Sequence, residues 1–283
     1  MILFKRSVDL HNYLDIQRKQ GLKTGYVPTM GALHGGHISL ITDAKNDGNL
    51  CISSIFINPT QFNDAADFKK YPVSLEQDIL ALETAGCDVL FLPSVEEIYP
   101  QGTNASGHYD LGALETILEG HYRPGHFQGV CMVVHRLLEI VKPDNLHIGQ
   151  KDYQQCMVIK KLIELIGLEK VTHVKISPTL REPDGLAMSS RNMRLNEQER
   201  KDAVAIYQTL SFVKDHIEKG ELAELKQQAE ARLTEKGFKV DYVQIADAST
   251  LKIVNHWDGK QKLVALAAAF LNQVRLIDNI IIN

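Results

Sequence analysis

Two histidines separated by two glycines, His34-Gly-Gly-His37, are the residues whose types and spacing point most directly to chemistry. Before them Tyr26 and Val27 read as strand, and Pro28 and Gly31 end it. After them Ile38, Leu40 and Ile41 open a helical apolar pattern. Free backbone N–H groups at a helix start attract anions, and Gly35 and Gly36 let a phosphate approach the main chain closely. Residues three apart on a first helical turn share a face, so both imidazoles can donate to one polyphosphate. The same pair could be a metal half-site or two ordinary surface histidines. The strand-to-helix setting favours a nucleotide, because α/β folds bind ligands at the carboxyl ends of their strands. No acidic or cysteine ligand stands at fixed spacing nearby to complete a metal site.

Further polar residues follow other strand-like runs. Asn58 and Gln61 come after the apolar run 50–57, and Lys151, Asp152 and Gln155 after the run ending at Gly149. In a parallel sheet these sets converge on one crevice. Asp152 alone reads as a helix N-cap. Lys151 beside it opposes the helix dipole, which makes sense if phosphate oxygens lie between them. Gln61 and Gln155 are also of the kind that satisfies backbone groups near helix starts. The segment 181–192 carries Pro183 and Gly185 and ends in Ser189, Ser190, Arg191 and Asn192. It is either a hinge whose Ser189 or Asn192 caps a turn, or a loop that closes over a triphosphate and donates to its oxygens.

The elements that must carry these residues alternate from 25 to 177. After a helix over 7–20, strand one and the helix from 38 to about 47, the pattern predicts a buried strand over 50–57. It then gives a helix over 74–85, a strand over 87–92 and a polar loop, 118–129, opening onto a helix over 130–141. A strand over 145–149, a helix over 151–166 and a strand over 171–177 complete it. Such alternation predicts an α/β fold, a Rossmann-like doubly wound parallel sheet. Past Pro178 the pattern changes to two long amphipathic helices, 197–219 and 221–236, and three strand-like runs, 240–245, 263–270 and 274–282. This tail reads as a smaller C-terminal α+β domain. The expected division is 1–177 and 178–283, with a hinge and loop at 178–192.

Composition agrees with a soluble, cytoplasmic protein. A chain of 283 residues exceeds one core, and 44% hydrophobic with 23% charged residues is ordinary for a globular protein. A net charge of −4 gives no general attraction to nucleic acid or anionic membrane. Cys51, Cys87, Cys131 and Cys156 are far apart with no CxxC, so a reducing cytoplasm fits better than a disulfide framework or a zinc site. The run 263–271 is too short to span a membrane, and the N-terminal apolar stretch is too short for a signal peptide.

Five segments, in order, resemble those of the pantothenate synthetases. They are Pro28-Thr-Met-Gly-Ala-Leu-His-x-Gly-His37, Phe56-Ile-Asn-Pro-Thr-Gln-Phe62, Arg123-Pro-Gly-His-Phe127, Gly149-Gln-Lys-Asp-Tyr-Gln-Gln155 and Gly185-Leu-Ala-Met-Ser-Ser-Arg-Asn192. The first and last also resemble the "HIGH" and "KMSKS" elements of the class I nucleotidyltransferase superfamily. The resemblance implies an ATP-dependent, AMP-forming ligase that condenses pantoate with β-alanine through a pantoyl-adenylate. It implies a homodimer with small-molecule substrates, without nucleic-acid or membrane partners, and Mg²⁺ held mainly by ATP with no protein ligand assigned. By motif, ATP would be contacted by Met30, Gly31, Ala32, Leu33, His34, Gly35, Gly36 and His37, by Gly149, Gln150, Lys151 and Asp152, and by Leu180, Met188, Ser189, Ser190 and Arg191. Gln61 and Gln155 would bind pantoate. His37 would be the catalytic histidine, assisted by His34, Lys151, Ser189 and Arg191.

The chain departs from the family at Gln150, often Glu, at Gln128, often Arg, at 63–67, usually Gly-Pro-x-Glu-Asp, and at Val73, usually Arg. Three rivals share parts of the pattern. A nucleotidyltransferase that keeps the nucleotide on its product would release no AMP. A tRNA-synthetase-like enzyme would need a nucleic-acid surface that the charge and the small tail do not supply. A nucleotide sensor would need neither Lys151 nor the Ser-Ser-Arg loop.

Overall fold

The computed structural model describes residues 1–62, 68, 69, 71–103 and 107–283; the departure at 63–67 lies outside the described residues. Six strands form a wholly parallel sheet: β1 (Ile2–Phe4), β2 (Thr24–Thr29), β3 (Leu50–Ile55), β4 (Val89–Phe91), β5 (Asn145–Gly149) and β6 (His173–Ser177). Their order is β1-β4-β3-β2-β5-β6. The chain moves outward from β2 through β3 to β4, then returns to the other side of β2 for β5 and β6. The winding therefore reverses beside β2, and the carboxyl ends of β3, β2 and β5 lie side by side.

Burial explains the strands. Val27, Cys51, Ile52, Val89, Leu90 and Phe91 are fully covered, as expected for parallel strands with helices on both faces. The helix Gly35–Asn46 buries Leu40, Ile41 and Ala44, a 3–4 spacing, while the helix His126–Val141 buries residues almost all round and so lies deep in the fold. The edge strand β1 went unread in the sequence. It has three residues, with Ile2 and Leu3 exposed, and its pairing with β4 supplies what its pattern does not.

Cα packing divides the chain into two compact units. The first holds Met1–Gln150 and Val158–Pro178; the second holds Lys151–Met157 and Thr179–Asn283. The second unit carries an antiparallel sheet in the order β11-β10-β8, from β8 (Phe238–Asp247), β10 (Leu263–Leu271) and β11 (Val274–Ile281). A short pair joins β7 (Gly220–Glu221) to β9 (His256–Trp257). Its core gathers Leu210, Val213 and Leu233 from helices with Val243, Ala265 and Ala267 from strands.

Several boundaries differ from the sequence reading. The helix expected from 38 begins at Gly35, because His34 takes an extended conformation and caps it. The expected polar loop 118–129 contains the helical turn Glu119–Tyr122, and the next helix begins at His126 rather than 130. Glu119, Gly120, His126 and Phe127 are buried there, so the polar letters conceal an interior segment. The helix expected from 151 begins at Tyr153. The long helix 197–219 divides into Glu197–Asp202 and Ala205–His216, where Ile206 bonds three residues back to Ala203.

Candidate active site

The turn after β2 is built around a buried carboxylate. Gly31 (φ 79°) and Ala32 (φ 49°) both take left-handed backbone, which is costly for alanine. Asp78, on the helix Leu75–Thr84, holds the turn open. Its Oδ2 accepts Ala32 N at 2.9 Å, its Oδ1 accepts Leu33 N at 2.8 Å, and Ser74 Oγ donates to it at 3.1 Å. A Cβ on Gly31 would stand 3.0 Å from Asp78 Oδ2 and 3.2 Å from Ile55 Cγ2, so the turn has little room to change. Sequence reasoning missed Asp78, which looks like an ordinary first-turn acid 46 residues from the backbone it holds.

The two histidines close the helix start together. Gly36 N donates to His34 Nδ1 at 3.1 Å, and His34 N donates to His37 Nδ1 at 3.3 Å. This is a capping box in which imidazoles do the work usually done by Ser and Glu. The ring centroids lie 4.1 Å apart. Because each Nδ1 accepts a backbone N–H, the neutral ring must carry its hydrogen on Nε2. Capping therefore fixes the tautomer in which both rings are Nε2–H donors, the form that suits a phosphate.

Gln61 ends the 3₁₀ turn Pro59–Gln61 after β3. Its Nε2 lies 2.9 Å from Met30 Sδ, and Asn58 Nδ2 donates to its Oε1 at 3.2 Å. Asn58, 1% exposed, is the hub: it also donates to Gly129 O and accepts from Thr60 and from Tyr99 OH. Burial pushes the Tyr99 phenol up to about 12, so it serves as a neutral donor. His126 Nδ1 stands 2.8 Å from Gln61 O. Gly129 is required for this approach, since a Cβ would stand 2.2 Å from Thr60 O and 2.7 Å from Gln61 N. The structure thus brings Met30, Gln61 and the histidine turn to adjoining strand ends, and β5 delivers Gly149 and Gln150 beside them.

A cavity of about 280 Å³, lined by Met30, Gly31, Ala32, Phe56, Ser74 and Asp78, adjoins the turn. A larger cleft, about 870 Å³, is lined by His11, His135, Lys142 and Thr172. Lys142 stands three residues before β5 and Thr172 directly before β6, so that cleft lies at the amino ends of the strands, away from the end that α/β folds use for chemistry. Gln128, where the family often has Arg, is held by Tyr109 N and O and by Glu115 Oε1. It ties the first turn of the helix His126–Val141 to the segment before it.

The second unit gathers its own set. Lys151, Ser189, Arg191, Asn192 and Asp278 line one small cavity. Lys151 Nζ lies 3.8 Å from Asp152. Ser189 caps the 3₁₀ turn Ser190–Arg194, accepting Arg191 N at 3.3 Å, Ser190 is buried, and Met188 N donates to Leu180 O at 3.0 Å. Gln155 is half-buried on the first turn of the helix Tyr153–Leu165. Within this unit the expected lysine and the expected Ser-Ser-Arg loop therefore meet.

A family model for pantoate–β-alanine ligase matches residues 2–281. The chain belongs to the pantoate–β-alanine ligase family. It is an enzyme that condenses pantoate with β-alanine at the expense of ATP, through a pantoyl-adenylate, giving pantothenate, AMP and pyrophosphate. The pantothenate synthetase of Cytophaga hutchinsonii is 41% identical over 285 residues, covering 100% of this chain and 99% of that one. Among solved structures, the pantothenate synthetase of Thermus thermophilus matches with a TM-score of 0.89 and 36% identity, covering 100% of this chain and 99% of that one. The pantoate–β-alanine ligase of Francisella tularensis, solved with β,γ-ATP and β-alanine, matches with a TM-score of 0.82 and 39% identity over 99% and 97% of the two chains.

Proposed function

We propose that the turn 30–37, the segment 149–152, Leu180 and the loop 188–191 hold ATP, while Gln61 and Gln155 seat pantoate. A pantoate carboxylate oxygen attacks the α-phosphorus in line, the bond to the bridging oxygen breaks, and pyrophosphate leaves. The amine of β-alanine then attacks the acyl carbon and AMP leaves. The protein's part is positioning and neutralisation of phosphate charge. His37 donates to the phosphates, with His34, Lys151, Ser189 and Arg191 assisting.

The observation that carries this reading is the doubly capped turn, which points both neutral imidazoles toward donation through Nε2. Its donors are N–H groups, which suit phosphate oxygens; Mg²⁺ prefers oxygen ligands, so it enters as MgATP on those phosphates. We read the chain as two domains, 1–177 and 178–283, with 178–192 as hinge and closing loop. The same reading makes the enzyme a cytoplasmic homodimer; its four cysteines are buried thiols, as a reducing compartment permits.

The test is AMP and pyrophosphate release from MgATP and pantoate, with and without β-alanine. Catalytic AMP only with both substrates, and at most a stoichiometric burst of pyrophosphate with pantoate alone, is expected. Catalytic AMP without β-alanine would contradict it. Gln155→Ala should weaken pantoate binding by calorimetry with ATP binding kept; equal losses of both would remove its pantoate role.

A further inference from the structure

Lys151 is fixed at its backbone by a strand far away in sequence. Asn279 Nδ2 donates to Lys151 O at 2.8 Å, and Asn279 is 1% exposed. It sits on β11 next to Asp278, whose Oδ1 accepts Asn279 N at 2.8 Å. Arg181 grips Asp278 with both prongs of its fork, Nη1 to Oδ2 at 2.6 Å and Nη2 to Oδ1 at 3.0 Å. The same guanidinium donates to Asn279 O and to Gly185 O, each at 3.1 Å, and lies 4.2 Å over the ring of Tyr207. Gly185 admits that ring; a Cβ there would stand 2.2 Å from Tyr207 Cδ1.

These contacts join the backbone that presents Lys151 to the start of the segment that presents Ser189 and Arg191. Both are anchored on β11, a strand paired along its length with β10. Burial holds the Asp278 carboxyl above its ordinary value even against the pull of the Arg181 guanidinium, so removing Arg181 would leave a buried acid without its cation. With Arg181 on both carboxylate oxygens, Asp278 is a poor trap for the nearby ammonium of Lys151.

We infer that Asn279, Asp278 and Arg181 are positioning residues for the adenylation step: they set Lys151 and the Ser-Ser-Arg loop in one geometry for the phosphates. This rests on the proposed role of Lys151. Loosening a fixed group by about 1 Å costs up to ~100-fold in rate without removing any group that touches substrate.

The test is a double-mutant cycle on the intact enzyme, reading single-turnover pyrophosphate release, with thermal unfolding measured in parallel. Asn279→Ala should slow adenylation at least ~10-fold in the wild-type background, with KM for pantoate within about twofold, and less than about twofold in the Lys151→Ala background. Equal losses in both backgrounds would reduce Asn279 to a structural role and overturn the inference. If Lys151→Ala itself left adenylation unchanged, the role of Lys151 would fall, and the inference with it. Should Asn279→Ala not fold, Asn279→Leu carries the same cycle, since leucine roughly keeps the volume and loses the donor to Lys151 O.

Discussion

His34 and His37 turn the same ring atom to the backbone: each Nδ1 accepts a main-chain N–H, from Gly36 at 3.1 Å and from His34 at 3.3 Å. One arrangement thus ends the helix properly and selects the Nε2–H tautomer in both rings. Structure and chemistry share the two rings here but use opposite nitrogens, so substitutions must be chosen to separate them.

Asp78→Ala should cost about 3 kcal/mol, because two backbone donors, the buried Ala32 N and the part-buried Leu33 N, lose their shared carboxylate acceptor. The left-handed Ala32 should then relax and KM for ATP should rise. Urea unfolding together with ATP titration checks both. Unchanged stability would mean the turn holds itself.

Gly129→Ala should push the helix His126–Val141 off the turn Pro59–Gln61, since the contacted atoms are backbone and cannot rotate away. Overpacking of this kind costs about 1–3 kcal/mol. Pantoate affinity should fall more than ATP affinity, because Gln61 is what moves. Calorimetry with each substrate separates the two; equal effects would count against Gln61 as a pantoate ligand.

The sheet was legible because parallel strands buried on both faces leave apolar runs, as in β3 and β4, and glycine or proline between them. The motif residues were legible by type and spacing. What sets their geometry was not. Asp78, Asn58 and Asn279 act on backbone brought close only by folding, and Gly129 matters only because Thr60 O approaches it. The segment 118–129 misled because its polar letters bond inward, Gln128 to Tyr109 and His126 to Gln61.

His147, in the middle of β5, is 1% exposed and has no hydrogen-bond partner for either ring nitrogen among the described residues. Burial holds its pKa below the ordinary imidazole value; Asp47 and Asp43 oppose that shift and Lys175 adds to it. The folded protein therefore binds fewer protons than the unfolded chain, and stability is lost as pH falls through the ordinary imidazole range of about 6.5 toward the lowered folded value. The melting temperature should drop between pH 7.5 and 5.5, and His147→Phe should flatten part of that slope. An identical slope in the variant would assign the acid sensitivity to other groups.

The most direct measurement is single-turnover adenylation by His37→Asn. Asparagine offers an acceptor near the position of Nδ1, so it can keep the bond from His34 N, but it has nothing at the position of Nε2. The melting temperature should stay close to wild type and adenylation should slow by roughly 10²-fold or more. Adenylation at the wild-type rate in a protein of wild-type stability would contradict it, leaving His37 a helix cap and nothing else.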